Sequence, residues 1–165
     1  MKKLFALVLV LSMLLGTALA ADATYTTTQK AVEVLELMGM EPVCKGLDSD
    51  GDDVLYIDYT DEENNISYTF RLFFDDDLGH CFIRVWYLFN VSSANLTDMM
   101  HACNTANCSY KYAKFYVDES DNTVSVDMDL IFNEDDDMGI SVWEGVERLK
   151  RVIAAAYPDL AVYGK

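Results

Sequence analysis

ISYTFRLFF, residues 66–74, followed by HCFIRVWYLF, residues 80–89, decides the fold class. In the first stretch Ile66, Tyr68, Phe70 and Leu72 alternate with Ser67, Thr69 and Arg71. A side-chain period of two puts each set on its own face of a strand, one buried and one wet. In the second stretch Cys81, Ile83, Val85, Tyr87 and Phe89 share one face, and Phe82, Arg84, Trp86 and Leu88 the other. That second face is too apolar to be merely solvated.

Upstream of this pair the pattern predicts strands at Val54–Tyr59 and around Val43–Leu47, joined by the turn Asp48-Ser49-Asp50-Gly51. Before them, Thr26 and Gln29 have capping-box spacing, and Ala31, Val34, Leu35 and Met38 form a helical stripe that Gly39 stops. Downstream, a second helix starts near Ser92 or Ser93 with the stripe Leu96, Met99, Met100 and Cys103. Strands follow at Tyr112–Asp118 and Thr123–Phe132, turned by Ser120-Asp121-Asn122, with Val124, Val126, Met128 and Leu130 on one face of the second. The last helix has a capping box at Ser141 and Glu144, carries Val142, Val146, Leu149, Ile153 and Ala156, and is predicted to end before Pro158. The order α-β-β-β-β-α-β-β-α, with tight turns between strands, reads as α+β: an antiparallel sheet of about six strands with three helices, not a parallel nucleotide-binding sheet.

Composition agrees. The 165 residues are 52% hydrophobic and 12% aromatic, with only 2 Pro and 8 Gly, which excludes a disordered or collagen-like chain. Residues 1–20, MKKLFALVLVLSMLLGTALA, read as a signal peptide: Lys2 and Lys3, an apolar run from Leu4 to Leu15, and a small-x-small site at Ala18-Leu19-Ala20. The run is short for a membrane anchor and no second long apolar stretch follows, so no membrane span is expected after cleavage. The expected organisation is a leader at 1–20, a loose lead-in at 21–27 and a single domain at 28–165, secreted or otherwise extracytoplasmic. The leader has a bacterial cast, while N-x-S/T sequons at Asn65, Asn90, Asn95 and Asn107 leave a eukaryotic source open.

The net charge is −16, and losing Lys2 and Lys3 takes it to about −18. Such a chain repels phosphate backbones and anionic membranes, so nucleic acid is not an expected partner. Acidity serves solubility first; steering of basic partners and loose cation binding are the functional alternatives. Cys44, Cys81, Cys103 and Cys108 permit two disulfides in any of three connectivities, or serve as small core residues.

The helix-closing stretch Asn104-Thr105-Ala106-Asn107, the following YKYAKFYVDESDNTVSVDMDLIF (residues 110–132) and the opening VLELMGMEP (residues 34–42) together resemble the YbjN-like family over roughly Thr26 to Tyr157. That family is regarded as bacterial sensory transduction regulators with a fold like the class I type III secretion chaperones. The resemblance implies a protein-binding surface and often a dimer. The leader departs from a family thought of as intracellular. For Asn104 and Asn107 two readings stand, capping and turn formation or ligand contact.

Candidate chemistries fail on spacing. With Gly51 at the sixth position of a calcium loop, ligands are needed at Gly46 and Ile57, which offer none; Glu134-Asp135-Asp136-Asp137-Met138-Gly139 fails likewise, at Met138 and Gly145. His80 and Cys81 are strand neighbours and point to opposite faces, and His101 and Cys103 diverge on a helix. No nucleophile elbow, phosphate loop or dinucleotide fingerprint is present, so no catalytic, metal or cofactor residue is assigned and no cofactor is expected. The functional expectation is an exported, non-catalytic protein-binding or regulatory module, with a protein or peptide partner or a second copy of the chain. Its rivals are a hydrolase with a Cys/His or carboxylate site and a weakly calcium-binding acidic surface protein. The expected interaction face carries Phe82, Arg84, Trp86 and Leu88, extended by Tyr112 and Tyr116; a covering helix is the alternative for it.

Overall fold

The structure is a computed structural model and describes residues 22–75, 79–132 and 137–165. The elements are α1 (Thr26–Leu37), β1 (Val43–Leu47), β2 (Asp53–Asp61), β3 (Ile66–Phe74), β4 (His80–Asn90), a 3₁₀ turn at Ser93–Asn95, α2 (Leu96–Ser109), β5 (Lys114–Asp118), β6 (Thr123–Ile131) and α3 (Met138–Ala161). The order is the one the periodicities predict. The six strands form one antiparallel sheet, β1-β2-β3-β4-β6-β5. Short turns make the first four strands a meander. After β4 the chain crosses through α2 to the far edge, and β6 returns between β4 and β5.

The alternation seen in the sequence becomes the core. Leu55, Ile57, Phe70, Leu72, Phe74, Cys81, Ile83, Val85, Val126 and Met128 point to one side of the sheet and are fully or nearly fully buried. All three helices cover that side, bringing Ala31 and Leu35, Met99 and Cys103, and Val142, Val146, Leu149 and Ile153 into the same cluster. Gly145 lets α3 lie close to the sheet, since a Cβ there would stand 2.7 Å from Leu130 Cδ1 and 3.1 Å from Ile83 Cδ1.

Helix ends differ from the sequence expectation for physical reasons. Thr26 and Gln29 form no capping box: Tyr25 is the N-cap, and Gln29 Nε2 donates to Ala23 O. The lead-in is held rather than loose, because the buried Asp53 carboxylate accepts from the Thr24 and Tyr25 backbone N–H groups at 2.6 and 2.7 Å. Gly39 does stop α1, with φ +81° and the Gly39 and Met40 N–H groups donating to Glu36 O and Leu35 O. Met38 and Met100, both placed on buried stripes, are exposed.

Helix α3 begins three residues before the predicted cap, with Asp137 Oδ1 accepting from Ile140 N. It also runs through Pro158 rather than stopping before it. A proline leaves the carbonyl four residues earlier without a donor. That carbonyl is Ala154 O, and Asn64 Nδ2 from the β2–β3 turn donates to it at 3.3 Å. The leader and the acidic run Glu134–Asp136 lie outside the described residues.

Candidate interaction surface

Among the described residues the other side of the sheet has no helix over it. Its central residues are Tyr56 on β2, Arg71 and Phe73 on β3, and Phe82, Arg84 and Trp86 on β4. The registers Tyr56↔Arg71, Arg71↔Arg84 and Phe73↔Phe82 set them side by side. Two arginines directly opposite each other repel, and like charges in such pairs are destabilising. They part company. Arg84 leans toward β6 and meets Asp129 Oδ1 at 2.8 Å and Asp127 Oδ2 at 3.4 Å. Arg71 instead lies over aromatic rings, 4.5 Å from the Trp86 centroid and 5.3 Å from that of Tyr56. Lys45 Nζ stands over Tyr56 at 4.9 Å, and Arg84 over Phe82 at 5.3 Å. Phe73 packs on Trp86, and His80 stacks parallel to Phe82. Cations and rings thus alternate across four strands, each contact of the kind worth about 0.5–1 kcal/mol at exposed sites.

The face changes character along its length. Toward the β2–β3 turn it is lined by hydroxyls: Thr60 and Ser67 share a hydrogen bond, and Thr69 donates to Asp58 at 2.6 Å. Toward β5 it is charge-paired, with Tyr116 Oη reaching Asp127 Oδ1 at 3.4 Å. Burial raises the Asp127 carboxyl above its ordinary value, and Arg84 offsets part of that shift. Burial likewise raises the Tyr116 hydroxyl.

A bulge in β4 revises the expected face. Pairing with β6 slips between Val85 and Phe89, and Tyr87 takes φ +57°, a conformation costly for a residue with a Cβ. Three residues, Trp86 to Leu88, stand opposite Ser125 alone, and the two extra residues reset the alternation. Trp86 and Tyr87 both project to solvent, 36% and 61% exposed, whereas Leu88 turns inward and is 6% exposed. Leu88 is therefore core, not surface, and Tyr87 takes the opposite correction. Tyr112 precedes β5 and lies under Arg148 of α3, so it belongs to the helical side and does not extend the sheet face. Of the expected residues, Phe82, Arg84, Trp86 and Tyr116 come together; Tyr56, Arg71, Phe73, Lys45 and Tyr87 join them. Arg71 and Phe73 were legible as the outward positions of ISYTFRLFF.

The cysteines form no disulfide. All four are free, with Cys44, Cys81 and Cys103 buried and Cys108 exposed. Burial pushes the Cys103 thiol up to about 11 and the Cys81 and Cys44 thiols upward too, away from the thiolate that nucleophilic catalysis needs. Asn107 links α2 to β5: its amide accepts from Phe115 N at 2.7 Å and donates to Phe115 O at 2.9 Å, closing part of the β5 edge as another strand would. Asn104 is exposed. In the acidic turn, Asp48 Oδ1 is already engaged by the Asp50 and Asp52 N–H groups, and Ile57, where a calcium loop needs its acid, sits in the core. Among the described residues no cluster of three His, Cys, Asp or Glu could hold a metal, and no helix is long and apolar enough to cross a membrane.

Comparison with known proteins agrees with this fold. The crystal structure of "YbjN, a putative transcription regulator from E. coli" superposes with a TM-score of 0.57 at 14% sequence identity, covering 81% of this chain and 88% of that one. No curated protein matches the sequence. The family YbjN, described as "Putative bacterial sensory transduction regulator", matches residues 34–142, two-thirds of the chain. The chain belongs to the YbjN family.

Proposed function

We propose that the protein is an exported, non-catalytic protein-binding module with a regulatory role, and that its partner docks on the open sheet face. The observation that carries this reading is the pair of aromatic residues Trp86 and Tyr87, presented to solvent by a strained bulge on a face that none of the described helices covers. Backbone strain of this kind costs about 1–3 kcal/mol and persists where the surroundings enforce it, often at functional sites. Large aromatics beside arginines are also the residue types that dominate protein interfaces. Export rests on the leader sequence. A sheet face that holds a partner is consistent with the regulatory role in the family's description and with the geometry.

The test is capture from the extracytoplasmic fraction with the purified protein, then titration of the recovered partner against variants. Trp86→Ala is expected to weaken binding about tenfold or more. Leu37→Ser, an exposed position on α1, should leave it unchanged. A partner indifferent to Trp86→Ala and lost with Leu37→Ser would move the function to the helical side and overturn the proposal.

A further inference from the structure

The open face carries as many carboxylates as cations, Asp58, Asp127 and Asp129 among them, yet two of its cations, Lys45 and Arg71, stand outside every ion pair among the described residues. Of the ten lysines and arginines beyond the leader, Lys45, Arg71, Arg84 and Lys114 lie on this one face. Arg84 is neutralised by Asp127 and Asp129, and Lys114 adds to the field on Asp127. Lys45 and Arg71 are not. Among the described residues no carboxylate comes within ion-pair distance of either, although the sequence holds 28 acidic residues. Both are held by Tyr56, and Arg71 also by Trp86, through contacts that leave the N–H donors of the guanidinium unused.

A guanidinium offers five N–H donors in a fixed fork that matches a carboxylate with two parallel hydrogen bonds. Aromatic faces fix its plane beforehand, so less freedom is lost when an anion arrives. Lys45, on the other side of Tyr56, supplies a second positive charge to the same region, and the exposed Trp86 and Tyr87 beside it supply apolar contact. We infer that the open face receives an extended acidic segment of another protein, with a carboxylate seated on Arg71, Lys45 adding positive charge across the Tyr56 ring, and neighbouring side chains against Trp86 and Tyr87. This rests on the docking face proposed above and specifies the chemistry of what binds there. The net charge of −16 opposes every negative partner in proportion to the charge it brings, so a short segment with a few carboxylates is favoured over a second copy of the chain or a nucleic acid.

The test uses a short capped peptide of alternating glutamate and tyrosine, its glutamine–tyrosine counterpart and a single-stranded oligonucleotide, each titrated into the purified protein with NMR detection of the Arg71 side-chain and Trp86 indole N–H signals. Expected is binding of the glutamate peptide at these signals, about tenfold tighter than the glutamine peptide. Arg71→Met should abolish that preference, and Arg71→Lys should restore part of it. Equal binding of the two peptides on the open face would overturn the carboxylate assignment and leave the docking face standing. Binding of neither peptide, or perturbation confined to helical residues, would overturn both. Tighter binding of the oligonucleotide, or self-association on concentration that buries Trp86, would replace the acidic partner with a different occupant.

Discussion

The two faces of the sheet are nearly equal in aromatic content and opposite in how that content is covered. On the helical side Phe70, Phe74 and Phe115 lie in the buried cluster, Phe70 against the Tyr68 ring, and are removed from water. On the open side Tyr56, Phe82 and Trp86 lie under the charged ends of Lys45, Arg71 and Arg84, and Phe73 packs on Trp86. The contrast separates two tasks. Helix-covered aromatics gain the full free energy of burial and hold the fold. Cation-covered aromatics gain a fraction of it, keep the protein soluble and leave a surface from which water can be displaced by a partner.

The contrast breaks most visibly under truncation. Phe70→Ala, on the covered face, should cost about 3–5 kcal/mol in equilibrium denaturation, whereas Phe82→Ala, on the open face, should cost about 1 kcal/mol. Equal losses would mean that the two faces contribute alike to stability. The next effect belongs to the covered side alone. Asn64→Ala leaves both Ala154 O and the Asp61 carboxylate short of a donor, at about 1–3 kcal/mol, and Pro158→Ala in that background should recover part of the loss by restoring the helical N–H. Absence of recovery would show that the proline is not what makes Asn64 matter.

A smaller effect sharpens the open side. Tyr87→Gly relieves the positive φ and should raise stability by about 1 kcal/mol while weakening partner binding, a separation of stability from function expected only where strain serves a surface. Loss of stability would instead assign Tyr87 a packing role. The smallest effect is a pH slope. Hydrogen bonds from the Asn64 side chain, with help from the Asn64 and Glu63 backbone, hold the Asp61 carboxyl below its ordinary value. A carboxyl with a lowered folded-state pKa stabilises above its unfolded value of about 3.9 and loses that contribution as pH falls further. Asp61→Asn should therefore flatten the acid limb of the stability curve; an unchanged limb would contradict it.

Period-two alternation is a local property, and it made β3, β6 and most of β4 legible with the correct inward residues. Helical stripes did the same for Val142, Val146, Leu149, Ile153 and Ala156. The misreadings arose where a distant group decides local geometry. Asn64 stabilises a proline that local rules treat as a stop, and Asp53 anchors a lead-in that composition reads as loose. A second kind is local competition: Asp137 caps α3 ahead of Ser141 and Glu144, which have capping-box spacing. The β4 bulge is a third kind of case. No glycine or proline marks Tyr87, so strict alternation carries through it and exchanges Tyr87 with Leu88. For the surface, alternation identified Phe82, Arg84 and Trp86, but which strands lie beside them depends on sheet order. Arg71 and Phe73 are outward positions of the β3 alternation, but their place beside Phe82 and Arg84, with Tyr56 beyond them, is set by the registers.

The most direct measurement is the Trp86→Ala variant taken through equilibrium unfolding and sedimentation in parallel with partner titration. The expected result is a stability loss of about 1–2 kcal/mol, corresponding to a side chain that is partly exposed and packed on Arg71 and Phe73, together with loss of binding. A loss of about 3–5 kcal/mol, the range of a core aromatic, with binding and oligomeric state unchanged, would contradict it and make the open face part of the fold rather than a place for a partner.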